Sequence, residues 1–140
     1  MKYKVKGIFC EKPIAASVKD AVYMVRACAE RGVAFSVHHN RRWNPNYQYV
    51  RNMVAEGKIG NIKAIAAYYP GQVFNIGTHL FDAVRMIARK DPELVSGSSY
   101  NAGDKDPNVS GWIRFDGGFI GTVIATGKRE DLILEIDVIG

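Results

Sequence analysis

Residues 5–10 form a short apolar run with branched and aromatic side chains, the pattern of a buried strand. The run stops at Glu11-Lys12-Pro13, where Pro13 holds Lys12 in an extended conformation. Ser17-Val18-Lys19-Asp20 then has the form of a capping box. Behind it Val18, Ala21, Val22, Val25, Cys28 and Ala29 recur at helical spacing, and Gly32 suits the helix end. Residues 33–37 read as a second strand. If the two strands are parallel the crossover is right-handed, and their carboxyl ends share the edge where open α/β sheets bind ligands. That edge would carry Lys12 from one strand and His38, His39, Asn40 and Arg41 from the other.

The pattern then changes. Asn44-Pro45 is a cap followed by proline at the first helical position, with Tyr47, Val50, Met53 and Val54 on the apolar side. Residues 62–69 read as a strand ended by Pro70-Gly71. A helix is expected over residues 75–88, with Asn75 as its cap. At about 100° per residue, Asn75, His79 and Asp82 fall within roughly 60° of one another. Ile76, Leu80, Ala83, Val84 and Ile87 occupy the other side. The face thus offers an amide, an imidazole and a carboxylate to a cleft. Asp82 also has Arg85 and Arg89 within pairing distance along the helix, a weak local attraction that competes with any role in binding.

The remainder is β-like. Strands are expected at residues 94–100, 109–115, 119–125 and 132–139, the last beginning at Leu132. Asp116-Gly117-Gly118 marks a hairpin between the middle two. Both hairpin faces carry apolar side chains, Trp112 against Ile113 and Phe119 against Ile120. Helices can cover one face, and a second subunit the other, so a homo-oligomer through this sheet is expected. The fold class is α+β: a terminal strand-helix-strand piece of a Rossmann-like parallel sheet, followed by helices packed on a mostly antiparallel open β-sheet. Residues 1–38 form the first part and 39–140 the second.

Composition narrows the function classes. The 140 residues are 47% hydrophobic and 24% charged, as in a globular chain. No apolar run approaches the roughly 18 residues of a membrane span. Lys2, Lys4 and Lys6 precede an apolar patch too short for a signal-peptide core. A cytoplasmic protein without a membrane partner is expected. Cys10 and Cys28 fall in strand and helix patterns and are read as reduced. A net charge of +5 and a pI near 9.3 favour anionic ligands. The basic residues are scattered apart from Arg41-Arg42 and Lys128-Arg129, and no nucleic-acid motif accompanies them, so no nucleic-acid partner is expected. His79 and Asp82 lack further ligands at recognisable spacing, which argues against a metal.

Three stretches carry a resemblance. Gly7-Ile-Phe-Cys-Glu-Lys-Pro-Ile-Ala, His39-Asn40-Arg41-Arg42-Trp43-Asn44-Pro45 and Asn75-Ile-Gly-Thr-His79-Leu-Phe-Asp82 are similar to motifs of the glucose-fructose oxidoreductase / inositol dehydrogenase / MocA family, in the same order. The resemblance covers nearly the whole chain. It implies an NAD- or NADP-dependent oxidoreductase acting on a sugar, nucleotide sugar or polyol, with an N-terminal Rossmann domain and a C-terminal domain used for oligomerisation. It assigns Lys12 and His79 as catalytic, with Asn75 orienting substrate or imidazole. Glu11, Lys12, Pro13, Asn40 and Arg41 would line the cofactor side. Lys12, Asn75, His79 and Asp82 would meet the substrate. An imidazole with an ordinary pKa near 6.5 suits a general base. An ammonium suits a developing alkoxide.

Two departures follow. No G-x-G-x-x-G occurs, so the phosphate-cradling turn of the family is missing and the chain reads as a fragment that binds dinucleotide weakly or not at all. A non-catalytic oligomerising sheet module, or a subunit completed by a separate nucleotide-binding chain, is the alternative. Asn75 stands where many members have aspartate, and asparagine neither carries charge nor accepts a proton. Asparagine there resembles the branch oxidising nucleotide-linked amino sugars at the 3-position.

Overall fold

The structure, a computed structural model, describes residues 4–127, 130–131 and 133–140. Lys2, the pair Lys128-Arg129 and the expected strand start at Leu132 lie outside the described residues. The chain divides into two compact units, residues 1–40 and 41–140.

In the first unit, strands β1 (Gly7–Cys10) and β2 (Ala34–Val37) pair in parallel, with Gly7 opposite Ala34 and Cys10 opposite Val37. Helix α1 (Val18–Ala29) connects them. Its start is fixed as the sequence predicts: Ser17 Oγ accepts from the Asp20 amide at 3.1 Å, and the Ser17 hydroxyl donates to the Asp20 carboxylate at 2.7 Å. Its end is closed by amides of Arg31, Gly32 and Val33 donating to the carbonyls of Cys28 and Ala29, with Gly32 at φ +63°. Cys28 is buried, Cys10 half-buried, and both are free thiols.

The second unit places helices on a five-stranded mixed sheet. Its strands are β3 (Ala64–Tyr69), β4 (Pro92–Ser99), β5 (Val109–Phe115), β6 (Ile120–Ala125) and β7 (Glu135–Ile139), in the order β4-β5-β6-β3-β7. All neighbours are antiparallel except β3 and β6, which run parallel with Ala64 opposite Ile120. The predicted hairpin is present, and Gly117 and Gly118 supply the positive φ it needs, at 98° and 84°. Helix α2 (Pro45–Ala55) begins with Asn44 Oδ1 accepting from the Asn46 amide at 2.9 Å and Pro45 in the first turn. Helix α3 (Thr78–Ala88) buries Leu80, Ala83, Val84, Met86, Ile87 and Ala88. Leu80, Val84 and Ala88 join Ile65, Ala67, Tyr69, Phe115, Val123 and Ala125 in the core.

Helix α3 starts later than the periodicity suggests. The expected helix over 75–88 with Asn75 as cap is replaced by a π turn (Val73–Gly77) leading without a break into α3. Gly77 and Thr78 both have helical backbone angles, so Asn75 lies inside the turn and is not the N-cap of α3. The capping is done from afar, because the Asp106 carboxylate accepts from the amides of Phe74 (2.7 Å) and Asn75 (3.0 Å). A carboxylate at the positive end of a helix is favourable for both hydrogen bonding and the macrodipole.

Tyr69, fully buried, holds this junction. Its hydroxyl donates to the Val109 carbonyl at 2.7 Å and accepts from the Val109 amide at 3.3 Å, tying the end of β3 to the start of β5. Its ring lies under Gly77, where an added Cβ would come within 3.2 Å of the ring. Burial raises the Tyr69 pKa above its ordinary value, partly opposed by the Val109 hydrogen bond. The sign follows from a folded-state pKa above the unfolded one: the contribution is complete below about pH 10 and is lost as pH rises beyond it. Tyr69→Phe leaves both Val109 backbone groups without the hydroxyl and should cost about 1–3 kcal/mol. Urea unfolding at neutral pH and above pH 10 checks both statements, since the variant should lose less than the parent in alkali.

Candidate active site

In the first unit the site residues cluster at the carboxyl end of β1. Glu11 Oε1 and His38 Nδ1, from the residues following β1 and β2, are 2.7 Å apart. The parallel register delivers them there: the His38 amide donates to the Cys10 carbonyl at 2.8 Å, continuing the ladder by one residue. The hydrogen bond from His38 holds the Glu11 carboxyl below its usual range, and burial opposes this. Phe9 packs on the His38 ring at a centroid distance of 4.9 Å. His38 thus holds the first residue of the Glu11-Lys12-Pro13 turn, in which the peptide between Lys12 and Pro13 is cis. His38, placed at this edge by the sequence and read as structural rather than catalytic, is the partner of Glu11 in this turn. Asn40 follows on the same edge and opens a 3-10 turn (Asn40–Trp43) that also contains Arg41.

In the second unit Asn75, His79 and Asp82 lie along the π turn and the start of α3. Asn75 is exposed and His79 half-buried in the first turn of α3. Inserting a π turn between Asn75 and His79 means that the constant 100° step used to align them does not hold over that stretch. Asp82 differs from expectation. It does not pair with Arg85 or Arg89; it accepts a two-pronged bond from Arg42, Nε at 2.9 and 3.0 Å and Nη2 at 2.7 Å. Arg85 turns instead to Asp91. The Asp82 side chain is only 12% exposed and the Arg42 side chain 47%, so the pair sits at the edge of the core. The Asp82 hydrogen bond raises the Arg42 pKa further, and the guanidinium stays charged throughout the working range.

The geometry explains the choice. An i,i+3 pair on a helix surface gains about 0.2–0.5 kcal/mol, whereas a bidentate guanidinium–carboxylate fork has shorter, charge-assisted bonds in a drier place. Arg42 and Asp106 were the positioning residues that local pattern does not reveal. Arg42 was visible as half of a basic pair inside a motif, with nothing to name Asp82 as its partner, and Asp106 as a loop acid.

Among the described residues no group of three or more His, Cys, Asp or Glu is arranged to hold a metal. No helix among them is long and apolar enough to cross a membrane.

Because lysine lacks the fork, Arg42→Lys and Arg42→Met should destabilise the second unit to similar extents, by about 1–2 kcal/mol, after allowance for the half-exposed guanidinium. Chemical denaturation monitored through tryptophan fluorescence checks this. Full stability in Arg42→Lys contradicts the fork.

Residues 1–39 match the family model described as an oxidoreductase family with an NAD-binding Rossmann fold. The chain is 30% identical over 138 residues to the 1,5-anhydro-D-fructose reductase of Ensifer adhaerens, covering 82% of this chain and 41% of that protein. It is 49% identical over 57 residues to the 2,7-anhydro-N-acetylneuraminate hydratase of Escherichia coli, covering 41% of this chain and 15% of that protein. Among solved structures, a myo-inositol dehydrogenase assigned in Sinorhizobium meliloti superposes with a TM-score of 0.85 at 20% identity, covering 96% of this chain and 47% of that one. The scyllo-inositol dehydrogenase of Lactobacillus casei, solved with NAD(H) and scyllo-inositol, gives 0.81 at 19% identity over 96% of this chain and 48% of that one. These structural likenesses speak to fold. The chain spans less than half the length of these relatives. Motifs and family match agree, and the chain is similar to the glucose-fructose oxidoreductase / inositol dehydrogenase / MocA family of oxidoreductases, through the family model over residues 1–39 and through relatives over most of its own length.

Proposed function

We propose that this chain carries the proton-handling residues of an NAD(P)-dependent oxidoreductase that oxidises a secondary hydroxyl of a sugar, nucleotide sugar or polyol. The observation that supports it best is the pairing of two features in one chain. A lysine follows a parallel strand in a turn pinned by Glu11 and His38, and an imidazole stands in the first turn of α3. The chain is moreover similar over 82% of its length to a sugar reductase.

In this reading His79 takes the hydroxyl proton and Lys12 donates a hydrogen bond to the reacting oxygen as alkoxide character develops. Asn75 orients substrate or imidazole. Glu11, Pro13, Asn40 and Arg41 line the cofactor side. Asp82, held by Arg42, meets the substrate. The nicotinamide, when bound, accepts the hydride.

The residues fit the nicotinamide end better than the pyrophosphate end. At the N-terminus of α1 Ser17 takes the Asp20 amide, and Asp20 in the first turn sets a negative charge against a dinucleotide phosphate there. The 140 residues contain no glycine-rich cradle. This supports the second reading, in which the chain works with a separate nucleotide-binding part or as an oligomerising module. Two further observations favour it. The first unit leaves Phe9, Val18 and Tyr23 exposed at 64%, 81% and 72%. The outer face of the sheet leaves Trp112, Ile120, Ile124 and Ile139 exposed, which suits a homo-oligomer through that face.

His79→Ala and Lys12→Ala, made in the protein as it occurs in its host, should each lower turnover by a factor on the order of 10²–10⁴. Unchanged turnover in both variants rules out the assignment. Titration of the 140-residue chain with NADH and NADPH, followed by nicotinamide fluorescence, should show weak or no binding. Micromolar binding would displace the second reading.

A further inference from the structure

Helices α2 and α3 flank a polar groove of about 600 Å³ at the far end of α3 from His79. Its lining brings together Arg42, Arg51, Asn52, Arg85, Arg89 and Lys90, with Asp91 as the only acid. His79 and Arg89 are ten residues apart, roughly 15 Å along a helix, so this groove is not the catalytic face of α3.

Three of the cations have carboxylate partners: Arg42 with Asp82, Arg85 with Asp91 and Lys90 with Asp116. Asp91 and Asp116 are 81% and 65% exposed, so their pairs hold weakly and yield to a better anion. Among the described residues Arg51 bonds only the neutral Asn52 Oδ1, at 3.0 and 3.3 Å. No carboxylate among the described residues lies within ion-pairing distance of Arg51 or Arg89. The ends of α2 and α3 reach the groove, and each is equivalent to about half a negative charge. Together they offset one of these two surplus cations and leave an excess.

The backbone supplies an independent sign. Arg89 has φ 54° and ψ 30°, the one positive φ outside glycine among the described residues. Left-handed angles disfavour an L side chain, and this helix-end position ordinarily goes to glycine. An arginine kept there, facing a groove already rich in guanidinium groups, marks a place where strain accompanies binding.

We propose that this groove is an anion site for a phosphate chain, a di- or triphosphate group whose oxygens take the forks of Arg51, Arg85 and Arg89. Guanidinium forks match phosphate oxygens in pairs, and the volume falls within the roughly 300–1,000 Å³ of small-ligand pockets. A groove of that size suits a small molecule better than a duplex, which needs an extended basic track. The site stands apart from the His79 reading and survives its failure.

The test is isothermal titration of the full 140-residue chain with inorganic tripolyphosphate and with ATP at low salt. Parent, Arg89→Gly and Arg51→Gln are compared, each with a thermal unfolding scan. The expected result is one tripolyphosphate per chain, weakened about tenfold or more in both variants, as for loss of one charge-assisted phosphate contact. Arg89→Gly should unfold at or above the parent midpoint, because glycine accepts the left-handed angles. ATP binding competitively with tripolyphosphate supports the phosphate chain as the recognised group. Absence of saturable binding, equal affinity in Arg89→Gly, or retention of duplex DNA without tripolyphosphate binding overturns the proposal. Arg51→Gln sits on the other helix and keeps the comparison decisive if Arg89→Gly fails to fold.

Discussion

The second unit depends on one buried aromatic ring. Tyr69 ends β3, carries the glycine that opens the way into α3, and closes its hydroxyl on both backbone groups of Val109. A phenol in that place must bring its own hydrogen-bond partners, since an unpaired buried hydroxyl is costly. Satisfying it fixes how far β5 extends beside β3 on the other side of β6. The same ring limits residue 77 to a side chain of almost no volume. Helix start, sheet register and the position of the half-buried His79 are therefore set by one residue that takes no part in chemistry.

Much of this was legible along the chain. The strand-helix-strand unit declared itself through Ser17, Gly32 and two short apolar runs, because its caps and turns use neighbours a few residues away. The hairpin at Asp116-Gly117-Gly118 did so for the same reason. Where the reading missed, the deciding partner was remote in sequence. The helix at Asn75 has no local cap; its amides are served by Asp106 from a distant loop, and the π turn breaks the angular step assumed for it. Asp82 followed the same logic, abandoning Arg85 for Arg42 because a long-range fork outweighs a pair along the helix. The mixed character of the sheet was likewise hidden, since alternation of apolar residues carries no information on strand direction.

The same remoteness shapes the candidate chemistry. The motifs around Lys12 and His79 are short and read directly, yet the contacts that hold their surroundings, His38 on Glu11 after β1 and Arg42 on Asp82 in α3, are not written in any of them. Family likeness locates the reactive groups. Physical chemistry of the surrounding side chains says what keeps them still.

The parallel pairing of β3 with β6 has a consequence for synthesis. Every other pairing in this sheet that involves β5 joins strands adjacent in sequence, so the meander from β4 to β6 can form as soon as it is made. Ala64 meets Ile120 only after the whole intervening stretch has left the ribosome. Until then β3 presents an apolar edge with no mate, and closing so long a loop is the entropically demanding step. A nascent chain of this protein thus passes through an interval in which its most buried strand is its most exposed one, and that interval is where a chaperone would find it.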